Sequence, residues 1–297
     1  MVRAVAFAAL PSLCAWPSAE PELEASPVSL EVLSSLRTRD VAVAGSLLFL
    51  EPSARKPRVD VSYEGAQLPA TEVYSAHRVL LRDARPLNAS LDEEGFALRR
   101  HVSSVGDFYD DAVVASLGWV EAAELVTEAT GAKHVHVFDH TRRRRAPEAL
   151  RQPSTRVHVD YTENSAPKRV LDLFGPDAEH LLARRFAFIN VWRPLRHAAS
   201  DWPLALCDAR SVNPADLIAA DLVYPDRRGE IYNLAYDPRQ LWFYAPDMGL
   251  DETLLIKCYD SREDVARFTP HTAFESPLTP PDAPPRESIE FRAIAFF

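Results

Sequence analysis

Long apolar runs are missing from this chain. None of its 297 residues lies in a stretch approaching the roughly 20 that span a bilayer, so no membrane partner is expected. Cysteine is scarce: Cys14, Cys207 and Cys258 are odd in number, far apart and without a CxxC pair. That argues against a secreted disulfide scaffold and a cysteine zinc site, and it suits a reducing, cytoplasmic setting. A basic excess is lacking too. With a formal net charge of −10, nucleic-acid backbone binding is not expected to be the task. Neither GxGxxG nor the GxxxxGK-S/T loop occurs, so nucleotide folds have no support. Lysine is rare as well, with Lys56, Lys133, Lys168 and Lys257 the only lysines among 33 cations. GC-rich coding accounts for such a bias; the functional alternative is that some arginines grip small carboxylates bidentately.

What remains is ordinary for a globular protein. The length suits one large domain or two small ones, and 47% hydrophobic residues suffice for a core without staples. Residues 1–16 (MVRAVAFAALPSLCAW) loosely resemble a secretory leader, but Pro11 interrupts the apolar stretch and the basic start is weak. Residues 1–60 read as an N-terminal extension packing on a core that occupies 61–297. Residues 111–130 (DAVVASLGWVEAAELVTEAT) predict a helix, with Val113, Val114, Leu117, Val120, Leu125 and Val126 on its apolar positions and Gly131 closing it. Strands are expected at 132–138 and 156–161, with a basic loop over 142–145 between them. A short helix at 177–184, a buried strand at 185–192 and a short helix started by Asn213 as N-cap and Pro214 at N1 follow. From Gly229 the chain is almost entirely strand, punctuated by Asp237-Pro238 and 247–249. Six prolines between Phe268 and Arg286 form a rigid connection before the last strand, 288–297. This order does not alternate strand with helix, so a β-sandwich or open antiparallel barrel fits better than a parallel doubly wound sheet.

His158-Val159-Asp160 is the strongest local signal. On a strand, residues i and i+2 face the same side, so imidazole and carboxylate point into one space. A third ligand must come from elsewhere, and of the nine histidines His271, in FTPHTAF, stands out. Two histidines and a carboxylate form the facial set of non-haem Fe(II) oxygenases, which leaves coordination positions open. HxD alone is weak, because a surface His/Asp pair is equally ordinary. Arg286 and Ser288 raise the odds, as an i, i+2 guanidinium and hydroxyl make a clamp for a carboxylate. HxD, a distant His, then RxS is the order of 2-oxoglutarate oxygenases on a double-stranded β-helix.

The residues around these positions carry a resemblance. INVWRPL (189–195), DWPLALCDARSV (201–212), LIKCYDS (255–261), PHTAF (270–274) and PPRESIEFRA (284–293) are similar to a family of fungal and bacterial tailoring oxygenases. Its members include the cephamycin 7α-hydroxylase component, the aspergillic-acid hydroxylase, a fungal gibberellin desaturase and a meroterpenoid endoperoxide-forming oxygenase. TGAKHVHVFDHTRR (130–143) matches the usual lead-in to the first metal-binding strand, and the resemblance runs from about residue 79 to 297. It implies a mainly β fold with flanking helices around a double-stranded β-helix (jelly-roll, cupin-like) core, in a single catalytic domain. It implies Fe(II) on His158, Asp160 and His271, 2-oxoglutarate on Arg286 and Ser288, and a small-molecule substrate oxidised with O₂ in secondary metabolism. Hydroxylation, desaturation and peroxidation all occur within the family, whereas a carboxylate at 160 argues against halogenation, which would need room for chloride.

Other readings stay open. His134 and His136 form a second i, i+2 pair reminiscent of a cupin HxH motif, though without its glycine spacing; His136 or His140 is otherwise expected to line the pocket mouth or pack on the sheet. Asn190 and Trp192 share a strand face and are candidates to contact the cosubstrate, or else are core residues. Trp242, Phe243 and Tyr244 are expected to pack, Lys257, Asp260 and Ser261 to form a structural turn and ion pair, and Cys258 to be a small buried hydrophobe. A cosubstrate-independent cupin-like dioxygenase and a non-catalytic β-sandwich binding module are the rival functions. The sequence leaves a homodimer open.

Overall fold

The computed structural model describes residues 42–60 and 72–297. The leader-like stretch, Cys14 and most of the expected N-terminal extension lie outside the described residues. The strands of the first half are β1 (Val43–Leu50), β2 (Arg58–Asp60), β3 (Tyr74–Asp83), β4 (Phe96–Arg100), β5 (His134–Arg144), β6 (His158–Val159) and β7 (Phe186–Pro194). Those of the second half are β8 (Leu204–Cys207), β9 (Leu217–Val223), β10 (Arg228–Leu234), β11 (Trp242–Tyr244), β12 (Glu252–Asp260), β13 (His271–Ala273) and β14 (Glu287–Phe296). They form two sheets. The larger has the order β1-β3-β11-β8-β13-β6-β10-β9-β2, and the smaller β4-β12-β7-β14-β5. All pairings in the smaller sheet are antiparallel, while β11 on β3 and β2 on β9 are parallel. The part of the expected extension that is described thus supplies β1 and β2 to the larger sheet.

Why β7 is buried along its whole length follows from its two faces. Phe186, Phe188 and Trp192 point into the space between the sheets, beside Val159, Leu206, Ile256 and Cys258. Ala187, Ile189 and Val191 point the other way, under a helix. A strand covered on both faces reads as a continuous apolar run rather than an alternating one. In β14 the helix-facing positions Ile289, Phe291 and Ala293 are apolar, whereas the inward positions 288, 290 and 292 are Ser, Glu and Arg. That polar stripe marks where the interior ceases to be a simple core.

The covering helix begins as α1 (Asp111–Val113), passes through a π-helical turn (Val114–Gly118) and continues as α2 (Trp119–Thr130). Asp110 caps it, its carboxylate accepting from Ala112 N at 2.9 Å and Val113 N at 3.2 Å. Gly131 ends it with φ +69°, a conformation natural to glycine. The expected apolar face is rotated at one point: Val114, Leu125 and Val126 are buried, but Leu117 and Val120 are exposed. The wider π turn shifts the helical phase there. It also brings Gly118 against Phe291, where an added Cβ would stand 3.0 Å from the ring.

Two segments between Thr141 and Leu182 differ from the sequence reading. The 142–145 segment is not a loop; β5 runs through Arg144. Residues 165–174 form α3 (Ser165–Phe174), whose helical pattern is disguised by Pro167 in its first turn, followed by α4 (Ala178–Leu182). Among the described residues no helix is long and apolar enough to cross a membrane.

Candidate metal centre

β6 is only two residues long, yet it is paired on both edges. His158 stands opposite Asn233 of β10 and opposite His271 of β13. Directly opposed residues in an antiparallel pair project to the same side, so the register itself sets the two imidazoles together. Their ring centroids are 4.6 Å apart. Asp160, two residues after His158, returns to that side, with Oδ1 3.5 Å from His158 Nε2. One ligand atom from each of His158, Asp160 and His271 lies within 4.8 Å of the others, the one such group of three among the described residues.

Each ligand candidate is held by a further partner. His158 Nδ1 is 2.8 Å from the carbonyl of Arg156, and His271 Nδ1 is 3.0 Å from that of Thr269. A carbonyl only accepts, so Nδ1 carries the proton and the Nε2 lone pair faces inward. Asp160 Oδ2 accepts from Asn190 Nδ2 at 2.7 Å and lies 3.4 Å from Arg292 Nε, which leaves Oδ1 for a cation. Burial, reinforced by the neighbouring His271, lowers the His158 pKa to about 3. The imidazole is therefore neutral, as a ligand must be. Burial alone would raise the Asp160 pKa. Arg292, the two histidines and the Asn190 hydrogen bond outweigh it and hold the carboxyl below its usual range. A neutral imidazole pair with an ionised carboxylate fits a divalent cation such as Fe(II).

Arg286 and Ser288 are both buried at 1% exposure, at the start of β14. The Arg286 backbone N–H donates to Asp201 Oδ2 at 2.8 Å, and its Nη1 donates to the carbonyl of Trp202. Trp202 itself sits at φ +44°, an uncommon conformation for a bulky residue. Trp192 lies beneath the guanidinium, with Cζ 5.6 Å from the ring centre. Arg286 Nε has no partner. Burial, with Arg143 close by, lowers the Arg286 pKa to about 9. An unpartnered buried N–H costs about 1–3 kcal/mol; a carboxylate placed here would satisfy it, so the residues present fit a 2-oxoglutarate cosubstrate.

Beside Asp160 opens a cavity of ≈ 360 Å³ lined by His158, Asp160, Tyr161, Arg143 and Arg292, among others. Asn190 thus contacts the carboxylate of the triad, and Trp192 contacts Arg286. The competing pair is not assembled. His134 stacks on Phe296, and His136 packs edge-on against Phe174 of α3. His140 accepts at Nδ1 from Trp119 Nε1 at 3.2 Å. Lys257 Nζ meets Asp260 at 2.9 Å and Asp92 at 2.6 Å, a structural lock as expected. Trp242, Phe243, Tyr244 and Cys258 are buried. Sequence reasoning missed Arg292, although the spacing 286, 288, 290, 292 on one strand placed it on the site face. Arg143 lies in the 142–145 run read as a loop, which the structure makes the end of β5.

Two curled sheets enclosing a His-Asp-His set beside a buried arginine define the jelly-roll class of non-haem iron oxygenases. Comparison with known proteins narrows this. The family model described as "Oxidoreductase/YMDC permease-like domain" matches residues 47–296. The Fe(II)/2-oxoglutarate-dependent dioxygenase nvfI of Aspergillus novofumigatus is 34% identical over 264 residues, covering 84% of this chain and 95% of that protein. The hydroxylase/desaturase efuI of Hormonema carpetanum is 33% identical, covering 75% and 85%. A solved structure of the iron and alpha-ketoglutarate-dependent endoperoxidase NvfI superposes with a TM-score of 0.79 at 32% identity, covering 87% of this chain and 99% of that one. The chain belongs to this family of Fe(II)/2-oxoglutarate-dependent tailoring oxygenases and is an oxidoreductase.

Proposed function

We propose that His158, Asp160 and His271 hold Fe(II), and that Arg286 with Ser288 holds the distal carboxylate of 2-oxoglutarate. The reaction is oxidation of a C–H bond in a small secondary metabolite, by hydroxylation or desaturation. The observation that carries this reading is the cross-strand opposition of His158 and His271 with Asp160 turned to the same side. When bound, the iron and its cosubstrate supply the activation of O₂ that C–H cleavage requires. The chain does the rest.

The carbonyls of Arg156 and Thr269 fix both imidazole tautomers, so neither ring rotates away from the cation. Asn190 and Arg292 restrain Asp160 Oδ2, which limits the carboxylate to one ligand oxygen. Arg286 is oriented from three sides, by Asp201 on its backbone N–H, the carbonyl of Trp202 on Nη1 and the Trp192 ring beneath. A cosubstrate held at its far end by such a group arrives in one orientation, and positioning of this kind supplies several kcal/mol. Phe188, Trp192 and Leu206, in one buried cluster with Val159, give the site an apolar backing. The names hydroxylase/desaturase and endoperoxidase among the relatives support a C–H outcome, and the paucity of cysteine supports a reducing cytoplasmic location.

Succinate formation from 2-oxoglutarate tests the assignment. His158→Ala should abolish iron-dependent succinate release while leaving the thermal midpoint near that of the parent. Full turnover in that variant would remove His158 from the metal site.

A further inference from the structure

The wall of the ≈ 360 Å³ cavity is charged opposite to the chain as a whole. The protein carries a formal net charge of −10, yet Arg143, Arg151, Arg169, Arg227 and Arg228 all line this space. They arrive from separate places: β5, the loop after it, α3, the β9–β10 turn and the first residue of β10. Among the described residues none of the five is ion-paired. Arg143 donates to the carbonyl of Gln152 at 2.9 Å and Arg151 to Thr141 Oγ1 at 3.0 Å. Arg169 lies over Phe138 and Arg227 over Tyr224, with Cζ 5.1 and 3.8 Å from the ring centres.

The acidic residues on the same wall do not balance them. Asp139 is taken by Arg292 at 2.9 Å, Asp172 by Lys168 at 2.7 Å and Glu230 by Lys56 at 2.6 Å. Asp160 belongs to the triad. Five guanidinium groups with no carboxylate in ion-pair contact therefore line one small space, and their mutual repulsion falls when an anion enters. Apolar surface is present as well, from Phe138, Tyr161, Leu222 and Ile231. Arg143, the cross-strand partner of Ser288, sits toward the cosubstrate end. Arg151, Arg227 and Arg228 are exposed at the mouth, with Arg169 half-buried behind them.

We infer that the substrate is an organic acid with an apolar body. Its carboxylate is held between Arg227 at the mouth and Arg169 behind it, and its hydrocarbon part lies on Phe138 and Tyr161 beside Asp160. This rests on the proposed iron-oxygenase reading and names its substrate class. Guanidinium groups bind carboxylates in a forked geometry that an ester cannot match.

The test uses 4-phenylbutyrate and its methyl ester as probes, titrated calorimetrically into the anaerobic protein loaded with Fe(II) and 2-oxoglutarate. The acid should bind about ten-fold more tightly than the ester. Arg169→Gln with Arg227→Gln should reduce the preference to below about two-fold, whereas Lys at both positions should retain part of it. The affinity for 2-oxoglutarate and the visible band of its iron complex should not change in either variant, which also shows that both fold. Equal binding of acid and ester, no binding of either, or a preference that survives the Gln variant would overturn the inference. So would competition between the acid and 2-oxoglutarate, which would make the arginines a path for the cosubstrate alone. Absence of the visible band from the parent protein would instead overturn the iron reading, and the inference with it.

Discussion

Asp160 has two oxygens with separate duties, and Asn190 keeps them apart. Asn190 Nδ2 is 2.7 Å from Oδ2, so Oδ1 alone is left to a cation. Asn190→Ala should lower Fe(II) affinity by about 10–100-fold, as loss of such outer partners does, in a titration where 2-oxoglutarate affinity is measured separately. Arg286→Ala should raise the 2-oxoglutarate requirement by about 100-fold or more, since the lost group is a buried, charge-assisted donor, while metal analysis shows iron retained. Lys257 is a different case. Its Nζ is buried between Asp260 and Asp92, so Lys257→Met should lower unfolding free energy in urea by about 3 kcal/mol without changing iron binding. The pairs His158/Asp160 and Arg286/Ser288 could be picked out in the sequence because each shows itself within three residues at strand spacing, whereas His271 stood out only by its setting in FTPHTAF. The bond from Asn190 to Asp160 was not, because it joins residues 30 apart whose meeting depends on how two sheets face each other.

The helix over β14 makes its own prediction. Gly118 is pressed on the Phe291 ring by the π turn, so Gly118→Val should destabilise by about 1–3 kcal/mol through overpacking. Phe291→Leu in the same chain should recover part of the loss of thermal midpoint. Periodicity predicted the helix over 111–130 and Gly131 its end; the Asp110 cap appears only in the structure. It could not show the π turn, which answers to the packing of Gly118 rather than to helical spacing. Two strands of the smaller sheet, interior β12 and edge β5, carry irregularities. The register shifts between Lys257 and Tyr259 in β12, and between Arg292 and Ala293 where β14 meets β5. Such bulges re-aim side chains next to functional sites, here leaving Cys258 and Phe138 as the extra residues. β1 to β4, β8, β9 and β13 were not anticipated; β13, for one, is fixed by β6 and β8, distant in sequence, rather than by a pattern of its own.

Across the whole molecule, acidity should act through paired carboxylates. Arg85 hydrogen-bonds Glu252 and lowers its pKa. For Asp92 and Glu230, burial works in the opposite direction, but Lys257 and Arg185 in one case, and Lys56 and Thr162 in the other, outweigh it. A folded-state pKa below the unfolded one contributes stability that is present above the unfolded value and lost as pH falls through the folded one. The thermal midpoint should therefore be level near neutrality and drop below about pH 4.5, as scanning calorimetry across pH would show. The β-rich class and the absence of a nucleotide fold were readable from strand spacing and missing glycine loops. The nine-and-five division of the strands was not, because sheet order depends on long-range pairing. One measurement bears most directly on the central claim: an anaerobic titration of the metal-free protein with Fe(II) and then 2-oxoglutarate. The account predicts one iron per chain, a visible band that appears only with both, and loss of that band in His271→Ala. A band that persists without His271, or tight iron binding indifferent to His158, Asp160 and His271, would contradict it.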